Sequence, residues 1–207
     1  MWKKEFRLLK TNPHPGFRRC EGYIGFISGL FLMLFLAVVL CTNLQVESFR
    51  ASALYLEDAL AASNLASAVI DLQEYGISHV VTIADPLAAY QLYCDAVRGN
   101  LGLNDQWEGS NQALIAGRVT VESYIVYNVG QDCVTVHVVD PAGGIYSWQG
   151  ALGAVTAPSG QVVENTGVYS EISFPVKGIF GMEVIAHKGK LVDIVSSAKT
   201  DAVKQKE

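Results

Sequence analysis

The chain of 207 residues is short of charge, proline and cysteine: 17% of it is Asp, Glu, Lys or Arg, and it holds six prolines and four cysteines. Half of it is hydrophobic, which excludes a disordered chain, and its glycines follow no triplet period, which excludes a collagen-like one. Metal-binding spacing is missing: His14, His79, His137 and His187 lie far apart, with no HExxH and no CxxC among them. Also absent are a Gly-x-Ser-x-Gly elbow, a phosphate-cradling Gly-Lys-Ser/Thr and a dinucleotide glycine fingerprint, and the acids are scattered. No cofactor, metal or catalytic residue is therefore expected, and the protein reads as a non-enzyme. The formal net charge of −5 speaks against a nucleic-acid partner.

The charge that is present is unevenly placed. Residues 1–21 carry Lys3, Lys4, Arg7, Lys10, Arg18 and Arg19 against Glu5 and Glu21, whereas the chain beyond the apolar run is acidic. Between them, residues 22–46 contain no charged side chain. Twenty residues at about 1.5 Å rise cover the roughly 30 Å hydrocarbon core of a bilayer, so a transmembrane helix is expected. Arg50 is the lone cation soon after the run, so the basic flank predicts a cytoplasmic N-terminus and an extracytoplasmic C-terminal domain. The run exceeds a typical signal-peptide core, and no small-x-small site closes it. Leu40 before Cys41 is too large for a lipoprotein cleavage site.

Neither Gly nor Pro occurs between Gly29 and Gly76, and Leu, Ala, Glu, Gln and Met dominate, so the helix is expected to continue to about residue 75. Past the membrane, Phe49, Ala53, Leu56, Leu60, Ser67 and Ile70 recur at helical spacing, with Glu47, Arg50, Glu57, Asp58 and Asp71 assigned to a polar back. That stripe should pack against the chain's own outer domain, against neighbouring subunits, or both. Gly25 and Gly29 form a GxxxG step that permits close approach of a second helix.

After Gly76 the pattern turns mixed. A β-branched run covers 79–83, and Asp85-Pro86 opens a helix to about Arg98 with Leu87, Tyr90, Cys94 and Val97 on one side. Residues 118–129 alternate, with Val119, Val121, Ile125, Tyr127 and Val129 assigned to one face, followed by strands at 133–139 and 145–149 in an antiparallel meander. Further strands are expected at 161–164, 168–174, 182–187 and 191–195, the last two joined by a turn at Lys188-Gly189-Lys190. Cys94 and Cys133 both fall outside the membrane, where a disulfide between them is permitted, as are two separate thiols. Trp107, Tyr146, Trp148 and Tyr169 could line a binding surface or belong to ordinary packing. The expected fold is α+β: a long N-terminal membrane-anchored helix packed on an antiparallel β-sheet head. Its divisions are a basic flank at 1–21, the helix at 22–76, the head at 77–195 and a polar tail at 196–207.

Just before the apolar run, Gly16-Phe17-Arg18-Arg19-Cys20-Glu21 places a glycine, a phenylalanine and, after three residues, a glutamate. This resembles the prepilin motif of type IV pilins, and the small-then-apolar start is similar to the looser motif of tight-adherence and conjugation-type pilin-like proteins. The resemblance implies removal of residues 1–16 by a prepilin peptidase, which cuts between Gly16 and Phe17. It also implies that Glu21, fifth in the processed chain, pairs with the terminal amine of an adjacent subunit during assembly. A carboxylate at a bilayer edge is tolerated, and it becomes worth keeping if such a partner neutralises it during assembly. Arg18, Arg19 and Cys20 stand where the family usually has apolar residues, and Pro15 where a basic residue is common. The function implied is that of a pseudopilin or minor pilin in a surface filament or a secretion or conjugation-type assembly. Its partners would be the lipid bilayer, other pilin-like subunits or envelope-complex proteins, and the peptidase. The alternative is an unprocessed single-pass membrane protein whose extracytoplasmic domain binds a partner.

Overall fold

The structure is a computed structural model and describes residues 20–110, 114–177 and 182–194, with side chains from Tyr23 onward. The chain divides into two compact units, Met1–Ser48 and Phe49–Glu207. One helix, α1 (Cys20–Ser67), contributes to both. In the first unit its side chains from Tyr23 onward are almost all exposed. Thr42 and Asn43 there donate to the carbonyl of Val39 at 2.9 Å each, so their polar groups are satisfied by the helix itself.

In the second unit the helix ends at Ser67, short of the expected residue 75. Four residues follow, 68–71, in which Ile70 bridges Ile83 and the Asp71 amide donates to the Thr82 carbonyl at 2.8 Å. A separate helix, α2 (Leu72–Ser78), then starts, with the Asp71 carboxylate accepting from the amides of Gln73 and Glu74 at 3.0 Å. The break follows from β-branched Val69 and Ile70, which favour extended backbone, and from a capping residue better used at a helix start than inside one. Asp71-Leu72-Gln73-Glu74 has the spacing of a capping box, the sequence signal that marks this start.

The third helix, α3 (Pro86–Leu101), begins as expected: Asp85 caps the amides of Leu87 and Ala88, and Pro86 occupies the first turn. It runs three residues past Arg98 and stops at Gly102, whose φ of +61° costs glycine little and any other residue more. Its fully buried edge is Ala89, Tyr93, Val97 and Leu101; Leu87, Tyr90 and Cys94 are partly buried beside them.

Five antiparallel strands follow: β1 (Thr120–Val129), β2 (Cys133–Val139), β3 (Ile145–Ala151), β4 (Gly167–Lys177) and β5 (Glu183–Asp193). They are ordered β3-β2-β1-β4-β5. The expected meander of the first three holds. The two strands expected at 182–187 and 191–195 are one, because Lys188-Gly189-Lys190 stays in register opposite Ser170 to Ile172. Residues 161–164 make only an isolated bridge, Thr156 to Val162. The run at 79–83 is likewise not a strand; the Asn128 side chain serves both the amide and the carbonyl of Ile83, at 2.8 and 3.0 Å, as a neighbouring strand would.

The sheet buries both faces at its centre. On one face Val121, Tyr124, Val126, Val139, Val168, Ile172 and Phe174 meet Leu56, Ala59 and Leu60 of α1 and the buried edge of α3. On the other, Ile125, Tyr127, Val134, Val136 and Tyr169 are covered by Val155, Ala157 and Val163 from the segment between β3 and β4. The single face expected for Val121, Ile125 and Tyr127 does not exist. A bulge between Val121 and Ser123 inserts one residue and reverses the alternation, so Val121 shares a face with Tyr124 instead. The fold is thus α+β, with α3 and the second unit's part of α1 on one side of an antiparallel sheet.

Candidate functional site

The residues singled out in the N-terminal segment are placed as far as the description reaches. Gly16 and Phe17 lie outside the described residues, as does the basic flank. Glu21 falls in the first turn of α1 by backbone alone. Gly25 and Gly29 are one turn apart, and a Cβ built on either would meet nothing within 4 Å. Tyr23, Phe26, Leu30 and Met33 on the same stretch are each at least half exposed. Among the described residues, this is one helix long and apolar enough to cross a membrane, with a window of mean hydropathy 2.7.

In the second unit the densest polar chemistry lies between α1 and the sheet. Glu57, which helical spacing assigned to the polar back, faces β5. Lys188 and Lys190, on the same face of that strand two residues apart, donate to its two carboxylate oxygens at 2.8 and 2.7 Å. Hydrogen bonds from Lys188 and then Lys190 hold the Glu57 carboxyl down at about 2. Two turns along, Asn64 donates to the Lys190 carbonyl at 2.8 Å, and Tyr124 donates to the buried Ser67 hydroxyl at 2.8 Å. Asn100 on α3 donates to Ser63 at 2.9 Å, and its own carbonyl accepts from Tyr55 at 2.7 Å. Burial pushes the phenols of Tyr93, Tyr124 and Tyr90 far above their ordinary value and raises the Cys94 thiol, so all four are neutral. The hydroxyls of Tyr93 and Ser170 and Oδ1 of Asn64 are buried and meet no hydrogen-bond geometry among the described residues. This seam fixes the helix on the sheet, and its ionised groups are paired with each other.

The opposite face of β4 and β5 carries a looser polar group. Glu171 accepts from the Tyr169 hydroxyl at 3.1 Å and lies 3.7 Å from His187 Nδ1, while Ser173 donates to Glu122. Burial, with Glu171 adding to it, raises Tyr169 to about 12. His187 is more than half exposed and the serine hydroxyl is engaged by a different carboxylate, so these residues do not form a relay. His137 sits apart, 2.8 Å from the Ser147 hydroxyl, and His79 ends α2 in the left-handed conformation. Among the described residues no group of His, Cys, Asp and Glu is arranged to hold a metal.

Cys94 and Cys133 are separate thiols. Cys94 lies beside Tyr90, which is close to Asp140 and Pro141 at the end of β2, whereas Cys133 opens that strand. The intervening strand is about 20 Å long, far beyond the reach of a disulfide. Of the aromatics, Tyr169 is core, whereas Tyr146 and Trp148 are at least half exposed on the edge strand β3.

Comparison with protein-family models, curated proteins and solved structures returns no match.

Proposed function

We propose that the protein is a pilin-like structural subunit: α1 anchors it in a membrane through residues 23–46, and the β-sheet head is displayed outside. The observation that carries this reading is the use of one unbroken helix for two purposes. Its N-terminal stretch is apolar and exposed from Tyr23 onward, while residues 56–67 are seated on an antiparallel sheet. A helix made only to support the head would not need the first part. A simple anchor would not need to continue as the head's own core helix. The resemblance of residues 16–21 to a prepilin motif adds the assembly role, with Glu21 as the carboxylate neutralised by a neighbouring subunit and Gly25 and Gly29 at the helix contact.

The test is the intact mass of the protein from its host's membrane and sheared surface fractions, with N-terminal fragments mapped. A chain beginning at Phe17 is expected. Retention of residues 1–16 would overturn the processed-pilin reading in favour of a single-pass protein with a partner-binding head. In the processed case, Glu21→Gln should block assembly while leaving membrane insertion intact.

A further inference from the structure

Edge strands of a sheet normally carry charges or prolines that stop a second chain from pairing with them. At one edge β5 follows that rule, with Glu183, Lys188, Lys190 and Asp193. At the other edge β3 does not: Ile145-Tyr146-Ser147-Trp148-Gln149-Gly150-Ala151 holds no charge and no proline, although the chain beyond the apolar run is acidic. Ile145, Tyr146 and Trp148 are 43%, 66% and 50% exposed. The two aromatics lie opposite Val138 and Val136, hence on the sheet face that Val155, Ala157 and Val163 cover nearer its centre.

The backbone of β3 is open along its outer side. In an antiparallel ladder, alternate residues turn both amide and carbonyl toward the same neighbouring strand. The Asp140 amide donates to the Gly144 carbonyl at 2.8 Å and the Leu152 amide to the Asp132 carbonyl at 3.2 Å, both in the register of the β2–β3 pair. Tyr146, Trp148 and Gly150 are in phase with these and face β2, so Ile145, Ser147, Gln149 and Ala151 turn their backbone groups outward. The Ala151 carbonyl is taken by the Ala154 amide at 3.1 Å, but no further strand pairs with this side among the described residues.

We propose that β3 pairs with β3 of a second copy of this chain, antiparallel about a two-fold axis at Trp148, joining the two five-stranded sheets into one. The outward phase restricts the register, because Ser147 and Gln149 must meet outward residues of the other copy. Centring on Trp148 satisfies this and engages the whole strand: Ser147 meets Gln149, Ile145 meets Ala151 and Tyr146 meets Gly150. Trp148 then meets its own copy at a non-hydrogen-bonded position, where side chains stand closest. Gly150 brings no side chain against the incoming Tyr146, and the Trp148 ring already leans over it, with Cζ3 3.0 Å from where a Cβ would stand. Tyr146 of one copy thus packs on Trp148 of the other. The missing charge commits the edge to a second copy. A two-fold axis sets the central residue against itself, so a charge there would meet its like, whereas a partner of different sequence imposes no such neutrality. The contact lies within the second unit and is independent of whether residues 1–16 are removed.

The experiment uses the full chain in detergent, with a benzophenone amino acid in place of Gln149, and maps crosslinks between copies by mass. A crosslink to residues 145–151 of the second copy is expected. Trp148→Lys and Trp148→Glu, each alone, set like charges opposite one another and should reduce that crosslink to background. Mixed, they should restore it to about half the native yield or more, between a lysine copy and a glutamate copy. That restoration also shows that both variants keep a folded edge. Association through α1 would not respond to the sign of the charge at position 148. No crosslink in the native background, crosslinks only outside β3, persistence in both single variants, or a loss that mixing does not reverse would each overturn the pairing.

Discussion

Gly189 invites a turn when the sequence is read alone, and the structure gives it a different task that a mutant cycle can separate. It lies mid-strand opposite Glu171, and the ring of Tyr169 on the next strand crosses the place where its side chain would be. A Cβ there would stand 3.0 Å from Cζ and 3.3 Å from Cε2 of that ring, and closer still to its hydroxyl. Ordinary carbon contacts are about 3.5–4.0 Å, so Gly189→Ala must push the ring or the strand by several tenths of an ångström. Tyr169 is 3% exposed, packed in the second core cluster and hydrogen-bonded to Glu171, so it has little room to yield. Overpacking of this kind costs about 1–3 kcal/mol. With a urea slope of about 1–3 kcal/mol per molar, the unfolding midpoint should fall by roughly 1 M. The assay is urea unfolding of the full chain in detergent, followed by near-ultraviolet circular dichroism, in native and Tyr169→Val backgrounds. Tyr169→Val is itself destabilising, but Gly189→Ala added to it should cost under about 0.5 kcal/mol, a coupling typical of residues in direct contact. Equal losses in both backgrounds would refute the close-approach argument and return Gly189 to a backbone role.

Three further outcomes are expected. The Glu57 carboxylate is held down at about 2 by two lysines, so its stabilisation is complete above the ordinary value of 4.5 and is lost as pH falls from there to about 2; Glu57→Gln should flatten the dependence of the urea midpoint over that window. Leu60 is fully buried between α1 and the sheet, and Leu60→Ala should cost about 2–5 kcal/mol in the same unfolding assay, a loss below 1 kcal/mol arguing against that docking. Asp71→Ala removes the cap of α2 and should cost about 1 kcal/mol, seen as faster amide hydrogen exchange at Gln73 and Glu74 with α3 unaffected.

The elements whose patterns are local were legible. The charge-free run, the capped start of α3 and the alternation of β2 each follow from side chains within a few residues of one another, and each appears where spacing puts it. Long-range decisions were not legible. The phase of β1 depends on a bulge that only its pairing with β4 reveals, so alternation alone merged residues that lie on opposite faces. Glu57 was assigned to solvent because a carboxylate is polar; the two lysines that turn it inward come from a strand more than a hundred residues away in the sequence. The break after Ser67 runs against helix propensity across the stretch, and the Asp71 to Glu74 spacing is its local sign.

The candidate site divides in the same way. Gly16, Phe17 and Glu21 were named from a resemblance and Gly25 and Gly29 from their GxxxG spacing, local patterns that need no tertiary contact to be seen. The thiols of Cys94 and Cys133, by contrast, were compatible with a bridge until the strand between them set their distance. What the sequence by itself determined is the apolar helix and the alternation that makes a sheet, since each depends on the nature and spacing of neighbouring residues. What only the tertiary structure decided is which faces meet and which polar groups pair across the seam, because these depend on strand register and on contacts between residues distant along the chain.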